Sequence, residues 1–406
     1  MLNLLASFGD IMQTVGGILL AVVILLAMVT VHEFGHYVAG KILGFKITEF
    51  SVGFGPALFK KRSKRTGELF ALRVVPLGGY CAFDGEDYEE EAPQAPALEE
   101  PFEETAQKEE KPVPALVESV EEYPEPKGAK FTDQPAWKRI IVLVAGALMN
   151  YLLAMVLLII MVGTYGVPKC MVMPHDYKDG MNVPHAAWDT PTLEGRDILI
   201  ELNGKQIGLI TDCVTALNGV KAGEEVSATV LRFKSEDEGW QEKTVTLTLL
   251  YDGDFANMAA TEAMEAAMGW KVYTTTIRRG FFETLGGAFA YSFKMGGSIL
   301  QSLGELLTGK LGMDAVGGPV TTITVTAQAA TASAFSFLYI SSFIGVNLAV
   351  FNLLPVPALD GCKVIFCIIE WIRKKPVNRK VETIIHFVGI VALFAFAILV
   401  DILQLF

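Results

Sequence analysis

The sequence predicts a polytopic α-helical membrane protein with about four transmembrane helices, an inserted α+β domain and a small cytoplasmic β region. Three observations support this fold class: four long apolar segments, clusters of Lys and Arg beside them, and alternating apolar and polar residues between them. The chain has 406 residues, of which 51% are hydrophobic. Because a soluble domain is already about 45–50% apolar, the prediction depends on how these residues are distributed.

Four apolar segments are compatible with crossing a bilayer core, which takes about 20 residues of helix. They are residues 16–30, 140–162, 335–359 and 384–406. One such segment could be a buried core helix, but four in one chain favour a membrane protein. No Lys or Arg precedes Lys41, so the first segment lacks the basic region of a signal peptide. We expect it to be retained as a transmembrane helix.

Basic residues predict the orientation of the four helices, because Lys and Arg accumulate in cytoplasmic loops. These flanking residues are Lys41, Lys46, Lys60, Lys61, Arg62, Lys64, Arg65 and Arg73 after the first segment, Lys138 and Arg139 before the second, and Arg373, Lys374, Lys375, Arg379 and Lys380 between the third and fourth. All three clusters are predicted to be cytoplasmic. Both termini and the region 167–318 are then predicted to lie outside.

The formal net charge of −12 comes from one segment. Between Asp84 and Pro126 there are 16 acidic residues and two lysines, Lys108 and Lys111. Residues 84–128 are rich in Glu, Pro and Ala, a composition that predicts disorder. A solvated linker is favoured over a docking segment. No basic patch with interleaved aromatic residues is present, which argues against a nucleic-acid partner.

Two regions between the apolar segments show strand patterns. Residues 46–52 and 69–75 predict strands in the cytoplasmic loop. In the outer region, 167–254, alternating segments and an Asn203-Gly204 turn predict a small α+β module of roughly 90 residues, a size that can fold alone. Residues 278–311 are amphipathic and rich in Gly and Phe. They predict an interfacial or re-entrant helix, or a helix packed on the third span.

Five cysteines stand at positions 81, 170, 213, 362 and 367, with no CxxC pair. This spacing predicts no disulfide framework. Cys170 and Cys213 would both lie outside the cytoplasm and could pair.

Eight consecutive segments follow from these patterns. They are the first transmembrane helix (1–45), a cytoplasmic β region (46–83), the acidic insert (84–128), the second transmembrane helix (129–166), the outer α+β module (167–277), the amphipathic segment (278–330), the third transmembrane helix (331–372) and the fourth (373–406).

The sequence His32-Glu33-Phe34-Gly35-His36 is an HExxH motif at the end of the first apolar segment. On a helix, positions i and i+4 lie on one face, so both imidazoles can reach one Zn²⁺. Glu33 is adjacent and can take a proton from a water at the metal. Three ionisable groups at the end of an apolar helix are costly in hydrocarbon and indicate a function. The motif therefore predicts a zinc site.

A catalytic zinc usually has three protein ligands, so the two histidines need a partner. Asp360 follows Asn352-Leu-Leu-Pro-Val-Pro-Ala-Leu on the same predicted side of the membrane as the motif. Pro355 and Pro357 prevent a regular helix, and irregular backbone at membrane depth is tolerated only against protein or a wet cavity. Asp360 is therefore the predicted third ligand.

Three other residues are weaker candidates for the same metal. Asp401 is the rival carboxylate, but it stands at the outer end of the last apolar segment. His386 is a lone histidine on an apolar helix, where a structural role is more common. Cys362 could in principle approach the metal, because thiolates bind zinc well.

HEFGH in the first span together with NLLPVPALDG in the third strongly resembles the site-2 proteases, the zinc metalloproteases of regulated intramembrane proteolysis. The resemblance extends to SVGFGP (51–56), PLGGY (76–80), FTDQPAWKR (131–139) and AGALMN (145–150). The outer module resembles the family's PDZ domain. Since one copy fits, the chain resembles the bacterial single-PDZ subgroup related to the regulator-of-sigma-E protease. It departs from the family pattern at Ala147, usually Pro, and at Cys362, often Gly.

The resemblance implies roles for individual residues. Zn²⁺ would be bound by His32, His36 and Asp360, with Glu33 as the general base. The implied substrate-binding residues are Asn347, Asn352, Pro355, Pro357, Gly78, Gly79 and Asn150. Residues 69–75 and the glycine-rich loop would present an edge strand that extends and holds an unwound substrate.

The resemblance also implies an activity and a location. The activity is cleavage of single-span membrane proteins within their transmembrane segments after a first cut outside. Anti-sigma factors and signal-peptide remnants are examples of such substrates. The protein would be a multi-pass protein of the bacterial inner membrane, in contact with the lipid bilayer. Its active site would be near the cytoplasmic side and its PDZ-like domain outside.

Some alternatives stay open from the sequence alone. The PDZ-like module could read a new C-terminus, or it could exclude bulky untrimmed substrates. Two other classes of function also fit parts of the pattern: a catalytically silent, PDZ-bearing membrane adaptor, and a metal transporter that uses the same ligands as a transit site.

Overall fold

The computed structural model describes residues 8–86, 123–174, 193–235, 237–250, 260–278, 280–309, 312 and 316–404. Most of the predicted disordered insert, residues 87–122, lies outside the described residues. The α-helices are α1 (Phe8–Leu43), α2 (Ala136–Tyr165), α3 (Ile210–Leu217), α4 (Ala260–Met268), α5 (Phe281–Leu307), α6 (Pro319–Ala332), α7 (Ala334–Asn352), α8 (Asp360–Arg373) and α9 (Arg379–Leu403). The strands are β1 (Ile47–Arg62), β2 (Leu69–Phe83), β3 (Val167–Pro174), β4 (Ile198–Leu202), β5 (Lys205–Gln206), β6 (Glu225–Ser235), β7 (Gly239–Thr248) and β8 (Trp270–Ile277).

Within these residues, four helices are long and apolar enough to cross a membrane. They are α1 from Ile11 to Leu43, α2, α7 and α9. These helices, with the β-sheets described below, are consistent with the expected membrane protein. The third of these helices, α7, ends at Asn352, seven residues before the apolar segment ends at residue 359. Pro355 and Pro357 follow closely, and proline cannot continue a helix because it lacks the backbone N–H and its ring clashes with the preceding turn.

The chain divides into two compact units. The larger unit comprises Met1–Val31, Ala147–Leu354 and Val391–Phe406, and the smaller unit comprises His32–Gly146 and Pro355–Ile390. The smaller unit therefore contains the HExxH motif, both strands of the β region that is predicted to be cytoplasmic, and Asp360.

In the smaller unit, β1 and β2 each fold back on themselves, so that four strand segments lie side by side. The first part of β1 pairs with the end of β2 (Phe50 opposite Cys81) and also with its start (Phe50 opposite Phe70). The second part of β1 pairs with that same start (Lys61 opposite Phe70). The order of the segments is therefore 59–62, 69–72, 49–52 and 79–82.

This order corrects the prediction of an edge strand at residues 69–75 for its first part, residues 69–72. Residues 69–72 have β1 partners on both sides, so their backbone groups are already used. The register shifts in this pairing show why the alternating pattern alone could not reveal the fold-back. Within the described residues, the outer segments are 59–62 and 79–82.

An apolar cluster holds the smaller unit together. It contains Phe45, Ile47, Cys81, Phe83, Phe131, Val142, Leu143 and Cys367. Phe131 lies in a short 3₁₀ turn (Phe131–Asp133) just before α2, and its ring packs 5.5 Å from the Phe45 ring. The cluster thus joins the end of α1, the sheet, the start of α2 and α8.

The larger unit contains the predicted α+β module. Its strands form a sheet in the order β7-β6-β4-β3-β8, with β5 paired to β4. Helices α3 and α4 contribute Cys213, Leu217 and Met264 to a continuous apolar core with the strands. Arg232 on β6 pairs with the buried Asp197 at 2.6 Å. All five cysteines of the chain are free and buried.

The amphipathic segment forms α5, which packs inside the larger unit. Its Tyr291, Met295 and Ile299 are buried in a cluster with Leu158 of α2 and Val346 of α7. Contact with the third span was one of the arrangements that the sequence allowed. The helix also exposes large apolar side chains, namely Phe281 at its start and Phe282, Phe293 and Leu307 away from the buried face.

A buried ion pair joins two helices of the smaller unit. Arg139 Nη2 at the start of α2 lies 2.5 Å from Glu370 Oε2 on α8, and both side chains are less than a tenth exposed. The backbone N–H of Val377 donates to Glu370 Oε1 at 2.9 Å. Because α8 begins at Asp360, this pair anchors the helix that carries the predicted third ligand.

We predict that Glu370→Leu lowers the free energy of unfolding by about 3–5 kcal/mol, because it leaves a buried guanidinium without its partner. Adding Arg139→Met should recover much of the loss, since the buried guanidinium is then gone and Arg379, the other cation near Glu370, keeps its pair with Glu382. Thermal unfolding in detergent micelles measures both effects. Equal destabilisation by the single and the double variant would contradict this account of the pair.

Candidate metal centre

The HExxH motif lies on an unbroken part of α1, so His32 and His36 face the same side of the helix. Their ring centroids are 4.8 Å apart, with the rings nearly perpendicular. Both residues are at most 9% exposed. As the helical spacing of the motif predicts, the two buried imidazoles lie next to each other.

Asp360 joins these two histidines within the smaller unit. Its Oδ2 lies 3.0 Å from His32 Nε2 and 3.2 Å from His36 Nε2. It is the first residue of α8, where the N-terminal end of the helix dipole favours a negative charge. Among the described residues, His32, His36 and Asp360 form the single group of three or more His, Cys, Asp or Glu side chains close enough to share a metal ion.

The distances fit a tetrahedral metal. His32 Nε2 and His36 Nε2 are 3.2 Å apart, so the three candidate ligand atoms form a nearly equilateral triangle. Zinc bonds of about 2.0–2.1 Å in tetrahedral geometry separate two ligand atoms by about 3.3 Å. The triangle matches three corners of such a tetrahedron.

The hydrogen bond of His36 also suits a metal. Its Nδ1 lies 2.8 Å from the carbonyl oxygen of Val142. A carbonyl only accepts, so Nδ1 carries a proton, and in the neutral ring the lone pair of Nε2 is then left for a metal. Metal-binding histidines are commonly oriented by such a bond from their other nitrogen.

Gly146 on α2 provides the space for the two rings. A Cβ at this position would lie 2.3 Å from His36 Nε2 and 2.8 Å from His32 Cε1. These distances are far shorter than van der Waals contact, so only a glycine lets α2 approach the imidazoles this closely. Backbone packing thus shapes one wall of the site.

Glu33 is half-buried and close enough to His32, His36, Asp360 and Lys363 to interact with them electrostatically. The end of β2 is also near. Burial raises the pKa of the Cys81 thiol well above its usual range, and the charge of Glu33 adds to this shift. Cys81 is therefore a neutral thiol within electrostatic reach of the carboxylate that the sequence predicts to be the base.

Glu68 supports α1 directly after the motif. It is 1% exposed, accepts a hydrogen bond from Tyr37 Oη at 3.0 Å and pairs with Lys41. Thr66 Oγ1 donates to it at 3.0 Å. The turn between β1 and β2 is thereby tied to the helix that carries the two histidines.

The predicted substrate-binding residues fall into both units. Pro355, Pro357, Gly78 and Gly79 belong to the smaller unit with the metal group, and Gly79 pairs with Val52 in the sheet. The three asparagines belong to the larger unit, where Asn150 is buried and Asn347 and Asn352 are half-buried. Their substrate roles stay predictions.

The structure accounts for two of the rival candidates in other ways. Asp401 accepts hydrogen bonds from the backbone N–H groups of Val320 and Thr321, at the start of α6. His386 accepts one from the backbone N–H of Ala358. Cys362 is buried and is not part of the group of three.

Sequence reasoning missed Gly146, Glu68 and the carbonyl of Val142. Gly146 stood within a quoted motif, and a small residue in an apolar helix is a signal of close packing. Glu68 is an ordinary glutamate in sequence, and a backbone carbonyl has no sequence signal at all.

The chain is similar over most of its length to known proteins of one family. The sequence profile of peptidase family M50 matches residues 20–396. The regulator of sigma-W protease RasP of Bacillus subtilis is 26% identical over 95% of this chain and 98% of its own length. Zinc metalloprotease RasP of Geobacillus kaustophilus is 27% identical over 93% and 94%. A putative zinc metalloprotease of Clostridium perfringens is 28% identical over 95% and 97%.

We predict that Gly146→Ala weakens zinc binding roughly 5- to 150-fold, the equivalent of about 1–3 kcal/mol for overpacking, because the new Cβ displaces both imidazoles. The matched control is Gly163→Ala on the same helix, where a Cβ meets nothing within 4 Å. Competition with a chelating dye measures the affinity. Equal zinc affinity of the two variants would show that Gly146 does not shape the site.

Proposed function

The chain belongs to peptidase family M50 and is a zinc metalloprotease of the site-2 protease type, and from this premise we propose that it cleaves transmembrane segments at a zinc held by His32, His36 and Asp360. The observation that carries the proposal is the triangle of ligand atoms, with edges of 3.0–3.2 Å. Three protein ligands leave the fourth position of a tetrahedral zinc open, as catalysis requires.

The donor set fits zinc and its chemistry. Two neutral imidazoles and one carboxylate are borderline ligands that suit Zn²⁺. When bound, zinc would polarise the scissile carbonyl and make a water molecule more acidic. Asp360 supplies the negative charge that offsets the cation in a poorly solvated site.

Glu33 is the general base of the proposed reaction. Its carboxylate takes a proton from the attacking water while the water oxygen forms a bond to the carbonyl carbon. The C–N bond then breaks, and Glu33 passes the proton to the leaving amine nitrogen. The position of Glu33 supports this role, because it is adjacent to His32 in sequence and interacts electrostatically with all three ligands.

The proposed substrate is a single-span membrane protein already trimmed outside the membrane. Anti-sigma factors are a candidate class, since one relative is named a regulator of sigma-W protease; signal-peptide remnants are another. A helical peptide bond is shielded by its own hydrogen bonds, so the substrate must be extended before cleavage. Segment 79–82 rather than 69–72 is an outer strand of the sheet, and we propose that it receives the extended substrate.

Proposed roles of other residues follow from their positions. Gly78 and Gly79 border the outer strand segment, and Pro355 and Pro357 precede Asp360 in the same unit. Asn150, Asn347 and Asn352 are proposed to bind substrate on the strength of the motifs that contain them. The basic residues after α1 support a site near the cytoplasmic side of a bacterial cell membrane, with the α+β module outside as a PDZ-like domain.

We predict that Glu33→Gln lowers the cleavage rate by about 10²–10⁴-fold, the usual contribution of a general base, while zinc content stays near one per chain. The assay is cleavage of a model single-span protein with a short ectodomain by purified protein in detergent. The control is Glu238→Gln, an exposed glutamate in the α+β module, which should cleave like the wild type.

Two results would contradict the proposal. Zinc-loaded wild type that cuts none of a panel of short-ectodomain substrates would favour the adaptor function. Wild type that binds no zinc would remove the basis of the proposed site.

A further inference from the structure

The segment that leads into Asp360 contains a tight turn with an unusual residue. The backbone N–H of Leu359 donates to the carbonyl of Val356 at 3.1 Å. Pro357 and Ala358 are the two central residues, and Ala358 has a φ of 81°. Proline first and a positive φ second define a type II β-turn.

Alanine is a poor residue for this position. A type II turn favours glycine at its second central position, because a Cβ at positive φ is crowded by the backbone. A type I turn would give Ala358 an ordinary negative φ by rotating the peptide between Pro357 and Ala358. Some contact must therefore hold that peptide in the type II orientation.

His386 on α9 makes this contact. Its Nδ1 accepts a hydrogen bond from the N–H of Ala358 at 3.1 Å. That N–H belongs to the peptide whose rotation distinguishes the two turn types, so the bond is specific for the type II form. For a neutral ring, the proton then lies on Nε2.

The surroundings of His386 reinforce the same geometry. Gly389, three residues later on the helix, lets Pro357 approach so closely that a Cβ on Gly389 would lie 2.4 Å from Pro357 Cβ. The ring of His386 also packs edge-on against Phe366 of α8, with centroids 5.9 Å apart. His386 thus contacts the chain both before and after Asp360.

We propose that His386 is a positioning residue for the zinc site: through the N–H of Ala358 it holds the type II turn that directs Asp360 toward His32 and His36. The inference rests on the proposed function, because it assumes that these three residues bind zinc. His386 does not touch the metal group; it acts through two residues of backbone.

The test measures zinc affinity of the full-length protein in detergent, by competition with a chelating dye. His386→Leu removes the acceptor and should weaken zinc binding about tenfold, the lower end of what outer-shell partners contribute. His386→Asn should stay near wild type, since its Oδ1 can replace Nδ1 as acceptor. The control is Phe387→Leu, a neighbouring exposed side chain on α9, which should not change the affinity.

Two further measurements separate positioning from general stability. Cobalt-substituted His386→Leu should show an altered visible spectrum, because the carboxylate ligand is displaced, whereas His386→Asn should keep the wild-type spectrum. In the background of Ala358→Gly, which suits a type II turn, the loss of zinc affinity caused by His386→Leu should shrink.

Several results would overturn the inference. Wild-type zinc affinity and cobalt spectrum in His386→Leu, with only the melting temperature of the metal-free protein lowered, would leave His386 a merely structural residue. An equal loss of affinity in His386→Leu and His386→Asn would show that the hydrogen bond is not the cause. Wild type that binds no zinc would overturn the proposed function, and this inference with it.

Discussion

The structure depends on one electrostatic requirement: two imidazole nitrogens and a carboxylate oxygen lie within 3.2 Å of one another in a buried place. Lone pairs crowded this closely repel unless a proton or a metal cation lies between them, and burial removes the water that would screen them. The surrounding chain must therefore hold the three atoms at a fixed spacing. Helix α1 spaces the two nitrogens by its own periodicity, and the carboxylate has to be brought from more than 300 residues away in the sequence.

The smaller unit meets this requirement with contacts that converge on the three ligands. The carbonyl of Val142 orients one imidazole, and Gly146 lets the same helix approach both. Glu68 fixes α1 just beyond the motif, and the buried pair of Arg139 and Glu370 fixes α8 beyond Asp360. Helices α1 and α8, which carry the three ligands, are therefore each fixed by a contact beyond the ligand residues, in addition to the contacts at the imidazoles themselves.

The features of this arrangement that depend on local periodicity could be predicted from the sequence. The i, i+4 spacing placed His32 and His36, and the length of the apolar segments indicated the spanning helices. Asp360 was found because a third ligand was needed and two prolines marked an irregular segment. The fold-back of β1 and β2 was missed. Each half of one strand can pair with either half of the other, and long-range packing rather than local sequence decides which pairs form. The contacts of Gly146 and His386 were missed for the same reason: their partners are distant in sequence.

The two kinds of ligand differ in how firmly they are held. His32 and His36 share a continuous helix, whose backbone hydrogen bonds keep their spacing without outside help. Asp360 follows a turn in which Ala358 adopts a backbone conformation that alanine disfavours. A ligand carried on such a turn is only as well placed as the contacts that hold the turn. The geometry of the three ligand atoms therefore depends less on the HExxH helix than on His386 and Gly389 of α9, which contact Ala358 and Pro357. Local motifs alone could not have revealed that dependence.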